Sequence, residues 1–152
     1  MADDLYDFEV LHWAASITRI GDLPDPSARV TRESRVCGSR VTVSVSVHND
    51  CVSDYAQKVE ACALGQAVAA IIADRVIGQS LAQIRAARDG LFAMIKARSP
   101  APGGHWAPLA ALEPAADIPT RHASVLLPFD ALIAALEAAG AAAVAAPAQT
   151  GV

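Results

Sequence analysis

Cys62 stands where the chain changes from strand to helix: a mixed polar and apolar pattern ends at Ala61, and the alanine-rich run Ala63-Leu64-Gly65-Gln66-Ala67 begins. A thiol at such a switch lies at a helix N-terminus, whose unpaired N–H groups and positive dipole end favour thiolate over thiol. Cys37-Gly38 opens the preceding strand and His122 lies near the start of a later helix, so all three sit where a loop meets a regular element. Two thiolates and an imidazole suit zinc or an iron–sulfur centre. A second chemistry open to the same residues is nucleophilic, with His122 as base and Cys62 accepting persulfide sulfur. The competing readings are a buried, inert thiol for either cysteine and a capping or core role for His122. His12, His48 and His105 have no evident partner and are assigned to structure or solvent.

The elements that would bring these residues together can be read from periodicity. Val41, Val43, Val45 and Val47 alternate with Thr42, Ser44, Ser46 and His48, the signature of a half-buried strand. Asn49-Asp50 follows as a tight hairpin turn, and Cys51 to Ala61 returns as the partner strand. A two-residue turn pairs positions whose numbers sum to 99, which sets Cys37 opposite Cys62, with Cβ atoms about 4.5–5.5 Å apart and close enough to share a metal. Cys51 falls beside the turn, about 33 Å of strand away from Cys37. It reads as a plain structural or surface thiol.

Leu5, Phe8, Leu11 and Ala15 predict an amphipathic helix over 4 to about 17, and Ala28 to Val36 a short edge strand with Arg29, Arg32 and Arg35 exposed. Leu64 to Ile77 has helical spacing and stops at Gly78. Ser80-x-x-Gln83 fits a capping box for the next helix, which Gly90 weakens. Ser99 to Gly104 is a loop without the pattern of a nucleotide-binding one. Trp106 to Leu112 predicts a short helix closed by Glu113-Pro114, with Trp106 as a core anchor. A last helix runs from Arg121, a surface residue, through His122 and Ser124 to Glu137, with a kink or break expected at Pro128. The order is that of an α+β domain: a three-stranded antiparallel sheet with helices packed on one face, spanning 1–139, then an alanine-rich flexible tail over 140–152.

A chain of 152 residues suits one domain with a substantial core. The net charge of -4 argues against general nucleic-acid or anionic-membrane binding, which uses a basic footprint. Met1-Ala2-Asp3-Asp4 does not resemble a secretory leader, and the apolar run Ala61 to Ala73 is too short to span a membrane, so a cytoplasmic location is expected. An odd cysteine count in a reducing compartment favours thiol or metal chemistry over disulfides.

Cys37-Gly38, Cys62-Ala63-Leu64-Gly65-Gln66-Ala67 and Arg121-His122-Ala123-Ser124 resemble the iron–sulfur cluster assembly scaffolds of the NifU N-terminal (IscU and SufU) type, and the similarity spans nearly the whole chain. The resemblance implies a non-enzymatic scaffold or carrier. It would receive sulfur from a cysteine desulfurase, hold iron or an iron–sulfur cluster at Cys37, Cys62 and His122, and pass it to apo iron–sulfur proteins. Zinc is an alternative occupant of the isolated protein. Two departures stand out: the family's Cys-Gly-Asp is Cys37-Gly38-Ser39 here, and its third ligand cysteine is Ala123. They leave room for a degenerate member that docks a desulfurase as an adaptor, or for a zinc-dependent sulfur acceptor using Cys62.

Overall fold

β2 (Arg40–His48) is the central strand of a three-stranded antiparallel sheet ordered β1-β2-β3, between β1 (Ala28–Glu33) and β3 (Cys51–Glu60). This computed structural model describes residues 8–35 and 38–145, with side chains through Gly140. The alternation expected of β2 is present: Val41, Val43 and Val45 are fully buried on one face. The opposite face is polar, where Thr31 and Thr42 share a 2.7 Å hydrogen bond and Asp22 pairs with Lys58 at 2.7 Å and with Arg29 at 3.4 Å. Lys58 and Arg29 hold the Asp22 carboxyl below the usual carboxylate range. Arg29 and Arg32 are exposed along the edge strand β1, which ends at Glu33 short of the expected bound; Arg35 is exposed in the turn beyond it, and Val36 lies outside the described residues.

Asn49 and Asp50 both take positive φ, 53° and 62°, forming the tight turn read from their types. The register beyond it differs from the expected one. His48 pairs with Cys51 and Val47 with Val52, but Ser46 pairs with Asp54, and the offset of one persists to Arg40 opposite Glu60. Ser53 is therefore a bulge residue. It lets Val52 and Tyr55, both 1% exposed, point into the core although their spacing is odd. The ladder ends before Cys62, and the shifted register removes the expected pairing of Cys62 with Cys37; Cys37 itself lies outside the described residues.

The helices pack on the valine face. α1 (Phe8–Ala15) lies on α2 (Ala63–Arg75), which packs on α4 (His122–Ala145), and α4 also covers β1 and β2. α3 (Leu81–Ala97) flanks α4 and begins with both hydrogen bonds of the capping box, Gln83 N–H to Ser80 Oγ at 3.2 Å and Ser80 N–H to Gln83 Oε1 at 2.9 Å. Of the predicted first helix, positions 4 to 7 lie outside the described residues. At the centre of the fold, buried Gln57 takes the Tyr55 hydroxyl on its Oε1 at 2.9 Å and donates to the Thr18 and Ala69 carbonyls.

Two segments depart from the sequence reading. Gly104–Asp117 is a long 3₁₀ stretch with a kink at Trp106, not a short helix ending at Glu113. Pro108 and Pro114 lie inside it, and their missing N–H groups remove donors that an α-helix would need. Trp106 is the anchor expected: it is buried against Phe129, with its indole N–H 3.0 Å from Gln79 Oε1. α4 in turn runs through Pro128 without a break and continues to Ala145, beyond both Glu137 and Gly140. Alanine is the best helix former, which accounts for the extension. Pro119–Gly140 is apolar and long enough to cross a membrane, with mean hydropathy 1.5, but 61% of it is buried within the fold.

Candidate functional site

Cys62 is the N-cap of α2, in extended backbone conformation, and its side chain makes no capping bond, so the thiol is not consumed in closing the helix. It is partly buried. The amide of Gln66 closes the first turn onto the Cys62 carbonyl at 2.9 Å, and the Gln66 side chain holds the Ala61 carbonyl at 3.1 Å. The chain is thus pinned on both sides of the thiol, at the electropositive end of a 13-residue helix.

Cys62 Sγ meets α4 at Ser124 Oγ, 3.4 Å away, and Ser124 Oγ lies 3.1 Å from Ser39 Oγ. Both serines are buried, at 0% and 4% exposure. Three elements therefore converge on one row of thiol and hydroxyl groups: the start of α2, the first turn of α4 and the entry to β2. The entry is shaped by Gly38, at φ 70°, whose amide bonds the Ser34 carbonyl at 2.8 Å, while Ser34 N–H bonds the Ser39 carbonyl at 2.9 Å.

α2 and α4 come this close because position 65 is glycine. A Cβ there would lie 3.0 Å from Ser124 Oγ and 3.1 Å from the Ser124 carbonyl oxygen. Pro128 contributes from the other side: lacking an N–H, it leaves the carbonyl four residues earlier, that of Ser124, without its usual helical partner. The proline expected to break α4 instead frees the carbonyl that lies against Gly65.

His122, the first residue of α4, is 4% exposed. Its Nε2 lies 2.8 Å from the Ala115 carbonyl, which accepts only, so Nε2 carries the proton. Nδ1 is then a lone-pair acceptor, and it is buried with no hydrogen-bond partner among the described residues. A buried polar atom without a partner is uncommon enough to require a reason, and an imidazole whose far nitrogen is anchored to a backbone carbonyl is the usual state of a metal-binding histidine.

Of the predicted ligands, Cys62 and His122 are thus carried to the adjacent ends of two packed helices, while Cys37 lies outside the described residues. Among the described residues, no three His, Cys, Asp or Glu side chains come together as a metal-binding group. Ala123 is exposed and has no donor atom. Cys51 lies at the far end of β3, half-buried opposite His48, apart from Cys62 as expected. His12 stacks on Phe8 with ring centroids 5.9 Å apart, and His105 Nε2 lies 2.6 Å from the Arg75 carbonyl, both structural roles. Ser124 is the residue that sequence reasoning passed over.

A crystal structure described as the N-terminal part of a nitrogen-fixing NifU-like protein from Brucella abortus is 42% identical, covering 91% of this chain and 96% of that one with a TM-score of 0.88. The chain belongs to the NifU-like N-terminal family. A candidate iron–sulfur cluster assembly scaffold of the SUF system from Fervidobacterium islandicum AW-1 shares the fold at TM-score 0.79 and 18% identity, over 87% of this chain and 96% of that one. A crystallised hypothetical protein does so at TM-score 0.77 and 22% identity, over 85% and 94%. No family model matches the sequence, and no curated protein does. Membership in the NifU-like family accounts for the three-stranded antiparallel sheet and the helices packed on it.

Proposed function

We propose that this NifU-like chain is a cytoplasmic scaffold or carrier in iron–sulfur cluster assembly, taking iron or a labile cluster as cargo at Cys37, Cys62 and His122. The observation that carries the proposal is the state of His122: buried, protonated on Nε2 by its bond to Ala115, and with an Nδ1 that has no partner among the described residues. Cys62 supports it with a thiol that caps nothing and lies in the positive end field of α2. Cys37 enters the set through its place two residues before Ser39, whose hydroxyl joins the row leading to Cys62. Thiolates and an imidazole hold iron or zinc through soft and borderline donors, and partial exposure of Cys62 lets cargo enter and leave. The partners of such a site are a cysteine desulfurase as sulfur source and apo iron–sulfur proteins as recipients. The role is that of a carrier rather than an enzyme.

Anaerobic reconstitution with iron and sulfide, followed by metal and acid-labile sulfide analysis, tests this reading. Bound iron that is lost in Cys62→Ala and reduced in His122→Ala is the expected result. Iron content unchanged in Cys37→Ala and in Cys62→Ala would overturn the site.

A second reading draws on Ala123 and Ser39: a desulfurase-binding adaptor that keeps the family fold without cargo. It predicts no metal in the wild-type protein under any condition, together with desulfurase binding that survives the Cys37→Ala/Cys62→Ala double substitution.

A further inference from the structure

Eight of the twelve lysines and arginines are in ion pairs among the described residues, and Arg32, Arg35, Lys96 and Arg121 are not. Three of these four flank the row that leads to Cys62. Arg35 is exposed in the connection between β1 and β2, inside the loop that Ser34 N–H closes onto the Ser39 carbonyl at 2.9 Å. Arg121 is partly exposed directly before α4, three residues from Ser124. The Ser39–Ser124 contact of 3.1 Å and the Ser124–Cys62 contact of 3.4 Å bring that loop and the start of α4 together beside the thiol. Arg32 joins them through the register. It pairs with Val41 and so stands on the helix-bearing face of the sheet, at its open edge, where its guanidinium reaches only the carbonyl of Thr31 at 3.2 Å. The neighbouring carboxylates of the ladder lie on the other face: Glu33 is held by Arg40 at 2.9 Å, and Glu60 is paired with Arg40 across the strands.

We infer that Arg32, Arg35 and Arg121 form a basic rim that docks an acidic protein segment beside Cys62. The inference rests on the carrier reading above and adds the chemistry of the partner's contact surface. Charge complementarity selects the occupant. The chain carries a net charge of -4, so an acidic partner is repelled by most of its surface and attracted here, which sets where that partner lands. An arginine offers a carboxylate two parallel hydrogen bonds, and these three have no carboxylate of their own among the described residues. Nucleic acid is a poorer match, because its phosphates are held by many basic contacts in succession and the acidic remainder of this surface repels them.

Titration of the metal-free, full-length protein with a poly-glutamate peptide, followed by nuclear magnetic resonance, tests the rim. At about 10 mM salt, where charges act over about 30 Å, shifts are expected at the side-chain Nε–H signals of Arg32, Arg35 and Arg121 and at the Cys62 amide. They should shrink at about 0.15 M salt, where that range falls to about 8 Å. The Arg32→Gln/Arg35→Gln/Arg121→Gln variant should bind more weakly by a factor of about 10 or more, since each exposed charge pair is worth up to about fivefold. Lysine at the same three positions keeps the charge and should keep most of the binding. Arg75→Gln, at the far end of α2 and already paired with Asp74, should bind as wild type does. No binding by wild type, shifts centred on other arginines, or wild-type binding by the triple glutamine variant would overturn the inference. So would an oligothymidylate of equal charge that binds more tightly than the peptide. Because no metal is present, none of these outcomes depends on iron content, and failure of iron reconstitution would overturn the carrier reading alone.

Discussion

Gly65 of α2 lies against Ser124 of α4 so closely that an added methyl group would stand 3.0 Å from the serine hydroxyl and 3.1 Å from its carbonyl oxygen, as well as 2.9 Å from Ala61 Cβ. The carbonyl and Ala61 cannot swing away as the end of a flexible side chain would. Gly65→Ala is therefore expected to cost about 1–3 kcal/mol in overpacking. That exceeds the gain of about 1 kcal/mol from better helix propensity. Gly140 in α4 provides the opposite case, since nothing lies within 4 Å of a Cβ there. Gly140→Ala should stabilise by up to about 1 kcal/mol. Urea denaturation of both variants would show opposite signs; a stabilised Gly65→Ala would mean that α2 and α4 are not held at this spacing.

His122 should be found as the Nε2–H tautomer in the metal-free protein, because its Nε2 faces the Ala115 carbonyl and its Nδ1 faces no donor. Long-range proton–nitrogen correlation spectra distinguish the two ring nitrogens directly. Zinc should then shift the Nδ1 resonance and leave Nε2 protonated. An Nδ1–H ring in the apo protein, or a metal-induced change confined to Nε2, would contradict the assignment.

Tyr55 and Gln57 form the buried polar centre of the sheet face, joined by the 2.9 Å bond from the phenol to Gln57 Oε1. Tyr55→Phe leaves Gln57 Oε1 buried without that donor, a loss of about 1–3 kcal/mol. Burial also pushes the Tyr55 phenol well above its ordinary value of 10.0. A raised folded-state value means that the folded chain keeps a proton the unfolded chain releases. Stability is thus unaffected by this group below about pH 10 and falls as the pH rises beyond it. Tyr55→Phe should be less stable at neutral pH yet lose less on going from pH 9 to pH 11. Parallel alkaline slopes for the two proteins would show that the phenol is not buried.

Much of this arrangement is legible in the residues. The alternating valines of β2, the Asn49-Asp50 turn, the Ser80–Gln83 capping box and the thiol at the start of α2 are local patterns, and each local pattern was realised. What escaped was set by tertiary packing. The sequence of α4 shows a proline that should disrupt it, but not the glycine on another helix that leaves room for the Ser124 carbonyl. Ser124 looks like one more small residue at a helix start until α2 and the β2 entry are placed beside it. Pro108 and Pro114, in contrast, did carry a readable signal: two missing donors six residues apart make a sustained α-helix improbable there.

Beyond Val47 the β2–β3 hairpin runs one residue out of the register that its two-residue turn alone dictates. Val52 and Tyr55 are both large, apolar and separated by three, a spacing that a regular strand would send to opposite faces. The bulge at Ser53 reconciles them, and the same bulge holds Val52 in place between Gln79 and Gly78, with backbone bonds of 2.9 and 2.8 Å. Deleting Ser53 removes the extra residue and leaves Val52 and Tyr55 two positions apart, so both stay on the core face of a regular ladder, with the pairings from Val47–Val52 to Arg40–Glu60 all kept. The deletion variant should therefore fold, keep the bonds of Val52 to Gln79 and Gly78, and stay within about 1 kcal/mol of wild-type stability in urea denaturation. A loss of several times that, with amide protection gone from β3, would mean that the hairpin carries no bulge and that the pairing sum of 99 extends to its open end, because the deletion would then turn every residue from Asp54 to Glu60 to the opposite face.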